Sequence, residues 1–171
     1  MAFTEAQKRE LDKFCLETGG GIFGDRDKKN PAPKPIVVIG LGGLGTRTLN
    51  ELKHKVMLRI KNYDNYIKFL AIDSDDSDMN NIKASNPSGG GYMNDDEMTN
   101  LYSSQVNPII EAGTYKNEDW ITEGWTPTVN GTGCGQMRQN GRFLLSVDDV
   151  FNRINTQIES KINSARSNAS P

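Results

Sequence analysis

The feature that most constrains the fold is the run "IVVIGLGGLGTRTLNELKHKV" at residues 36–56. Residues 36–39 are all apolar, which is typical of a strand buried on both faces of a parallel sheet. Glycines at 40, 42, 43 and 45 then lead into a segment with apolar residues at helical spacing: Leu44, Leu49, Leu52, Val56, Met57 and Ile60. A strand that turns through glycines into a helix predicts an α/β unit.

A second apolar run supports this prediction. Residues 66–72, "YIKFLAI", read as another strand and end at Asp73. Strand, helix and strand in this order predict a right-handed crossover between parallel neighbours. We therefore expect a Rossmann-like parallel sheet with flanking helices, two short helices near 95–105 and 108–112, and a terminal helix with an apolar stripe from Val147 to Ile162.

The chain of 171 residues is long enough for one ordinary domain. Residues 1–34 are expected to hold a short amphipathic helix at 4–17 and a linker rich in glycine, proline and charge. Residues 35–171 are expected to form the main α/β region. Cys15 and Cys134 are far apart and lack zinc-ligand spacing, which indicates reduced thiols.

Charge and hydropathy narrow the possible partners. The formal net charge is −2, so neither nucleic acid nor an anionic membrane is expected as a partner. No run reaches the roughly 18 apolar residues of a membrane span, and the N-terminus carries charges where a signal peptide is apolar. These observations predict a cytoplasmic protein.

The glycine turn is a candidate phosphate site. Unpaired N–H groups and the helix dipole favour an anion at a helix N-terminus. The run lacks the G-K-[ST] ending of a P-loop. The alternative is a tight turn that only packs helix on strand. The candidate residues at this turn are Gly40, Leu41, Gly42, Gly43, Gly45 and Thr46.

A second candidate loop follows the second strand, within "AIDSDDSD". Asp73 and Asp75 are expected to contact a ribose or a nucleotide-bound magnesium ion, and Ser74 between them is a further candidate binding residue. Asp76 and Asp78 are expected to form a solvated face. Asp73 lies well beyond the roughly 20 residues that separate the glycines from the ribose-binding acid in dinucleotide folds, which argues against NAD.

A third candidate loop is "NGTGCGQMRQNGR" at residues 130–142. Alternate glycines let a backbone curve around a ligand, and arginines on a following helix can bind phosphate. The alternative is a surface loop with two solvated arginines. The candidate residues here are Gly131, Gly133, Cys134, Gly135, Arg138 and Arg142.

The three motifs, "GLGGLGTRTLNEL", "FLAIDSDD" and "GTGCGQMRQNGR", together resemble the tubulin/FtsZ superfamily, and in particular its bacterial tubulin-like proteins. The resemblance covers about residues 35–160. It implies that the first glycines face phosphates, that Asp73 and Asp75 belong to the second nucleotide loop, and that Gly133, Gly135 and Arg142 belong to the third.

The resemblance also implies a ligand and partners: GTP or GDP, with magnesium, and a homo-oligomer or cytoskeletal filament formed by the full-length GTPase. The family's later phosphate loop and acidic catalytic loop are missing from these 171 residues. The chain is therefore expected to be the incomplete N-terminal half of such a domain, and no catalytic residue is assigned within it.

Three other readings stay open. ATP-dependent adenylating enzymes of the ubiquitin-activating type also combine a glycine turn with an Asp-x-Asp followed by asparagines. A dinucleotide-dependent reductase would use the same turn. A non-enzymatic interaction module with vestigial glycine loops would bind no nucleotide. In each reading, Trp120 and Trp125 are expected to anchor a short segment to the core rather than stack on a purine.

Overall fold

The computed structural model describes residues 34–117, 119–129, 133–135 and 137–169 of the 171. The helix expected at 4–17 and its linker lie outside this part of the chain, so the boundary near residue 34 stays a prediction. Gly131 also lies outside the described residues.

The predicted parallel sheet is confirmed. Its described strands are β1 (Ile36–Leu41), β2 (Ile67–Asp73) and β3 (Met98–Asn100), in the order β1-β2-β3. All neighbouring strands are parallel, with Ile36 opposite Ile67 and Ile72 opposite Thr99. Their carboxyl ends therefore meet at one edge, where ligands bind in open α/β sheets.

The predicted helix after the glycines is α1 (Gly42–Arg59), and it covers one face of the sheet. Its Leu49 packs against Ile67, Phe69 and Ala71 of β2. The helical spacing of the apolar residues predicted the buried side of α1 only in part. Leu44 and Met57 are exposed, whereas Thr46, Asn50 and Lys53 are buried with polar partners.

The other face of the sheet is covered mainly by α5 (Asp148–Ala169), the expected terminal helix. Val150 and Ile154 of α5 pack with Leu70 and Ile72 of β2. The remaining helices are α2 (Asp76–Asn81), α3 (Val106–Ala112) and α4 (Arg138–Ser146).

The prediction of a helix near 95–105 is wrong. This stretch forms a 3-10 turn (Asp95–Glu97) and then β3. The turn is held by long-range ion pairs: Asp95 with Lys83, Asp96 with Lys161, and Glu97 with Lys53. These contacts with lysines distant in sequence, together with pairing to β2, override the local helical pattern.

Candidate functional site

The first candidate loop forms a tight turn at the end of β1. An added Cβ at Gly40 would lie 2.6 Å from the carbonyl oxygen of Gly45, so only glycine allows this close approach. Gly42 has φ +68°, a conformation that favours glycine. Leu41 precedes the helix without a side-chain cap, and the first turn of α1 holds no acid. The N-terminal amides of α1 are therefore available to an anion.

The two candidate side chains at this turn, those of Leu41 and Thr46, differ in exposure. Leu41 is 67% exposed and is accompanied by the still more exposed Leu44. Thr46, in contrast, is fully buried, and its hydroxyl donates to the carbonyl of Gly43 at 3.2 Å. The hydroxyl of Thr46 therefore stabilises the turn from within.

The second loop places a buried carboxyl group at the end of β2. Asp73 is 5% exposed, and its Oδ1 accepts bonds from the amides of Ser74 at 2.7 Å and Asp75 at 3.2 Å. Its Oδ2 is buried without a hydrogen-bond partner. Burial raises the pKa of Asp73 above its usual range, despite the two amide bonds that favour the ionised form.

Asp75 has a structural role as well as a candidate binding role. Its Oδ1 caps α2 by accepting from the amides of Ser77 at 2.8 Å and Asp78 at 3.3 Å. Its other carboxylate oxygen lies toward the third loop, 3.5 Å from where a Cβ on Gly133 would be. Asp75 thus links two of the predicted loops.

The third loop meets the second at Ser74. The amide of Gly133 donates to the carbonyl of Ser74 at 3.1 Å, and the Cys134 thiol donates to the Ser74 hydroxyl at 3.2 Å. Gly133 and Gly135 have positive φ values of +96° and +56°. The glycines therefore allow the curved backbone that brings loops about 60 residues apart into contact.

The two candidate arginines lie on α4, directly after the third loop. Arg138 is the first residue of α4 and is exposed. Arg142 is also exposed, but its guanidinium stacks over the ring of Trp120 at 4.5 Å from the centroid. Of the two guanidiniums, that of Arg142 is engaged with an aromatic ring.

Two residues beside the site were not predicted from the sequence to belong to it. Asn140 is fully buried, and its amide donates to the carbonyl of Cys134 at 3.0 Å and the hydroxyl of Thr128 at 3.0 Å. The Asn140 side chain therefore links the third loop to the segment that contains Thr128. An asparagine inside a helix between two arginines carries no signal of such a role, because its partners are set by the tertiary fold.

Asp78 is the second of these residues, and its expected place on a solvated face is wrong. Its side chain is only 28% exposed, and an added Cβ at Gly43 would lie 2.1 Å from its Oδ2. Arg47 lies 4.0 Å away from the same oxygen. Asp76 is exposed, as expected. A carboxylate therefore lies beside the first turn of α1.

Mg²⁺ fits the acidic carboxyl edge of the sheet only if a phosphate group supplies some of its ligands. The described residues hold no group of three or more His, Cys, Asp or Glu side chains arranged for a metal ion. Mg²⁺ is commonly held by one or two carboxylates together with substrate phosphates. The unpartnered oxygen of Asp73 and the Asp75 oxygen that lies toward the third loop are the atoms that suit this role.

Comparison with known proteins shows the family of the chain. The family model described as tubulin-like matches residues 37–170, which include all three loops. The chain belongs to the tubulin-like family. No curated protein and no solved structure matches it significantly. Within the described residues, no helix is both long and apolar enough to cross a membrane.

Membership of the tubulin-like family agrees with the observed fold. The three parallel strands with helices on both faces are those expected of a Rossmann-like member of this family. The match covers β1 through α5 almost completely.

Proposed function

We propose that this tubulin-like region binds a guanine nucleotide, GTP or GDP, with Mg²⁺ at the carboxyl edge of the sheet. The observation that carries the proposal is the meeting of the second and third loops at Ser74, beside the uncapped N-terminus of α1. The amides of α1 and the curved backbone of residues 133–135 suit phosphate oxygens.

The charges of the site explain why the metal belongs in the proposal. Asp73, Asp75 and Asp78 lie near the edge where the phosphates would bind, so an unaccompanied nucleotide would be repelled. A divalent cation between these carboxylates and the phosphates removes that repulsion. Arg138, the first residue of α4 and close after the third loop in sequence, supplies a positive charge from the protein itself.

We also propose that the protein self-associates through this nucleotide-binding edge and acts in the cytoplasm. The family supports self-association, and the exposed Leu41 and Leu44 at the same edge provide apolar surface for a neighbouring copy. Hydrolysis is not assigned to this chain, because no residue of the described loops is identified as a base for water.

Nucleotide-dependent melting tests the binding proposal. GTP with Mg²⁺ at a hundred times its Kd should stabilise the folded chain by about 2.7 kcal/mol, and ATP and NAD should do less. Arg138→Ala should weaken GTP binding without changing the melting temperature of the ligand-free protein. Arg59→Ala is the matched control, because Arg59 is an exposed arginine at the opposite end of α1.

Each alternative function predicts a different result. An ATP-selective shift would favour an adenylating enzyme, and an NAD-selective shift would favour a reductase. No shift with any nucleotide would contradict the proposal and favour an interaction module.

A further inference from the structure

The contact between Arg142 and Trp120 is firmly anchored. The Trp120 ring is half-buried and lies 6.2 Å from that of Trp125, centroid to centroid. Trp125 in turn packs edge-on against Tyr115 and Phe143, two buried residues of the core. The indole beneath Arg142 is therefore part of an aromatic cluster that extends to the core.

The orientation of α4 directs Arg142 away from the third loop. Gly141 faces that loop, since a Cβ added there would lie 3.8 Å from the sulfur of Cys134. Arg142 follows about 100° further around the helix, and Arg138, four residues before Arg142, lies on the same face, about 40° from Arg142 and between it and Gly141. On the side of Arg142, Gln139 donates to the Thr122 hydroxyl at 2.9 Å. That side of α4 therefore faces the segment that carries Trp120.

We propose that Trp120 regulates the phosphate site by competing with the nucleotide for the guanidinium of Arg142. The inference rests on the proposed function. A phosphate gains Arg142 only when the stacking contact is lost, so nucleotide occupancy and the environment of Trp120 are coupled. The energy typical of an exposed cation–π contact corresponds to about a two- to fivefold reduction in nucleotide affinity.

A double-mutant cycle measures this competition. Calorimetric titration with GTP and Mg²⁺ should show about two- to fivefold tighter binding for Trp120→Leu than for the wild type. In an Arg142→Ala background, the same change at Trp120 should have no effect on affinity. Unchanged or weaker binding by Trp120→Leu in the wild-type background overturns the proposal. Trp125→Phe, which alters the same aromatic cluster without touching Arg142, should leave the affinity unchanged.

Tryptophan fluorescence provides a second test that keeps Trp120 in place. The sequence has two tryptophans, so Trp125→Phe leaves Trp120 as the only indole. Addition of GTP and Mg²⁺ should change its emission, whereas Trp120→Phe should show no change in the emission of Trp125. Calorimetric binding without a change at Trp120 overturns this inference and leaves the proposed function standing. Failure of the wild type to bind any nucleotide overturns both.

Discussion

At the scale of single residues, the candidate site contains a buried carboxyl group that lowers the stability of the fold. Asp73 is buried at the end of β2 with one oxygen unpartnered, and burial raises its pKa. Such a group destabilises the folded state, because burying a carboxylate without a full set of hydrogen-bond partners is unfavourable. A functional role in binding a cation or ribose would account for its presence.

Asp73→Asn should therefore stabilise the ligand-free protein at neutral pH. The folded-state pKa of Asp73 is raised, so its ionised form costs stability as the pH rises through that pKa. Asparagine removes this cost. The gain in melting temperature should be present at pH 7 and should shrink below about pH 4, where aspartate in the unfolded chain is also protonated.

Thermal unfolding of both proteins across this pH range is the measurement. A lower melting temperature for Asp73→Asn at pH 7 would show that the carboxylate has an unrecognised stabilising partner.

Asp78→Asn should tighten GTP binding when magnesium is scarce. The carboxylate lies beside Gly43 in the first turn of α1, close to the expected phosphates. Removing like-charge repulsion of roughly 1 kcal/mol near the surface corresponds to about fivefold in Kd. Titration at low and high Mg²⁺ measures the change, with the exposed Asp64 giving the control Asp64→Asn. Weaker binding by Asp78→Asn would instead identify Asp78 as a magnesium ligand.

At the scale of elements, the junction between α1, α5 and the 3-10 turn (Asp95–Glu97) is an ionic one. Lys53 of α1 is 1% exposed and pairs with Glu97, whose side chain is 12% exposed. Lys161 of α5, also buried, pairs with Asp96 at 2.8 Å and lowers the pKa of that carboxyl group. Buried ammonium groups need such partners.

Lys53→Met should destabilise the fold strongly, because it leaves Glu97 without its cation. Removing one partner of a buried pair typically costs about 3–5 kcal/mol. Urea unfolding provides the measurement, and Lys55→Met, at an exposed position on the same helix, is the control. Adding Glu97→Gln to Lys53→Met should restore part of the loss. A loss below about 1 kcal/mol would show that the pair is solvated in solution.

At the scale of the whole molecule, the edge at which we propose that nucleotide binds presents apolar side chains to solvent. Leu44 is 80% exposed and Leu41 is 67% exposed, and both belong to the glycine turn. These exposed leucines serve no packing role within the described residues. The proposed self-association gives them one, because a second copy would bury them.

Leu44→Gln should weaken GTP-dependent self-association by more than about tenfold, since an interface that buries a leucine loses roughly 1.5–3 kcal/mol without it. Sedimentation velocity with GTP and Mg²⁺ measures the assembled fraction. Leu52→Gln is the control, at a 40% exposed position in the middle of α1. Equal assembly by both variants would exclude the carboxyl edge of the sheet as the interface.

The sequence by itself determined the α/β class, the first two strands, the helix after the glycines and the family. Strongly apolar strands, glycine turns and long apolar stripes are local patterns, and local patterns report local structure. The residues of the three loops were also predictable, because glycine and aspartate occur where the backbone or a ligand requires them. Their binding role stays a prediction.

Only the tertiary structure decided the rest. β3 replaced a predicted helix because lysines from distant elements hold the preceding turn and β2 pairs with the strand. The side chain of Asp78 lies against Gly43 rather than on a solvated face, because α2 packs beside α1. Arg142 stacks on Trp120 because of the rotational setting of α4. Each outcome depends on contacts between residues far apart in the chain, and spacing along a sequence does not encode such contacts.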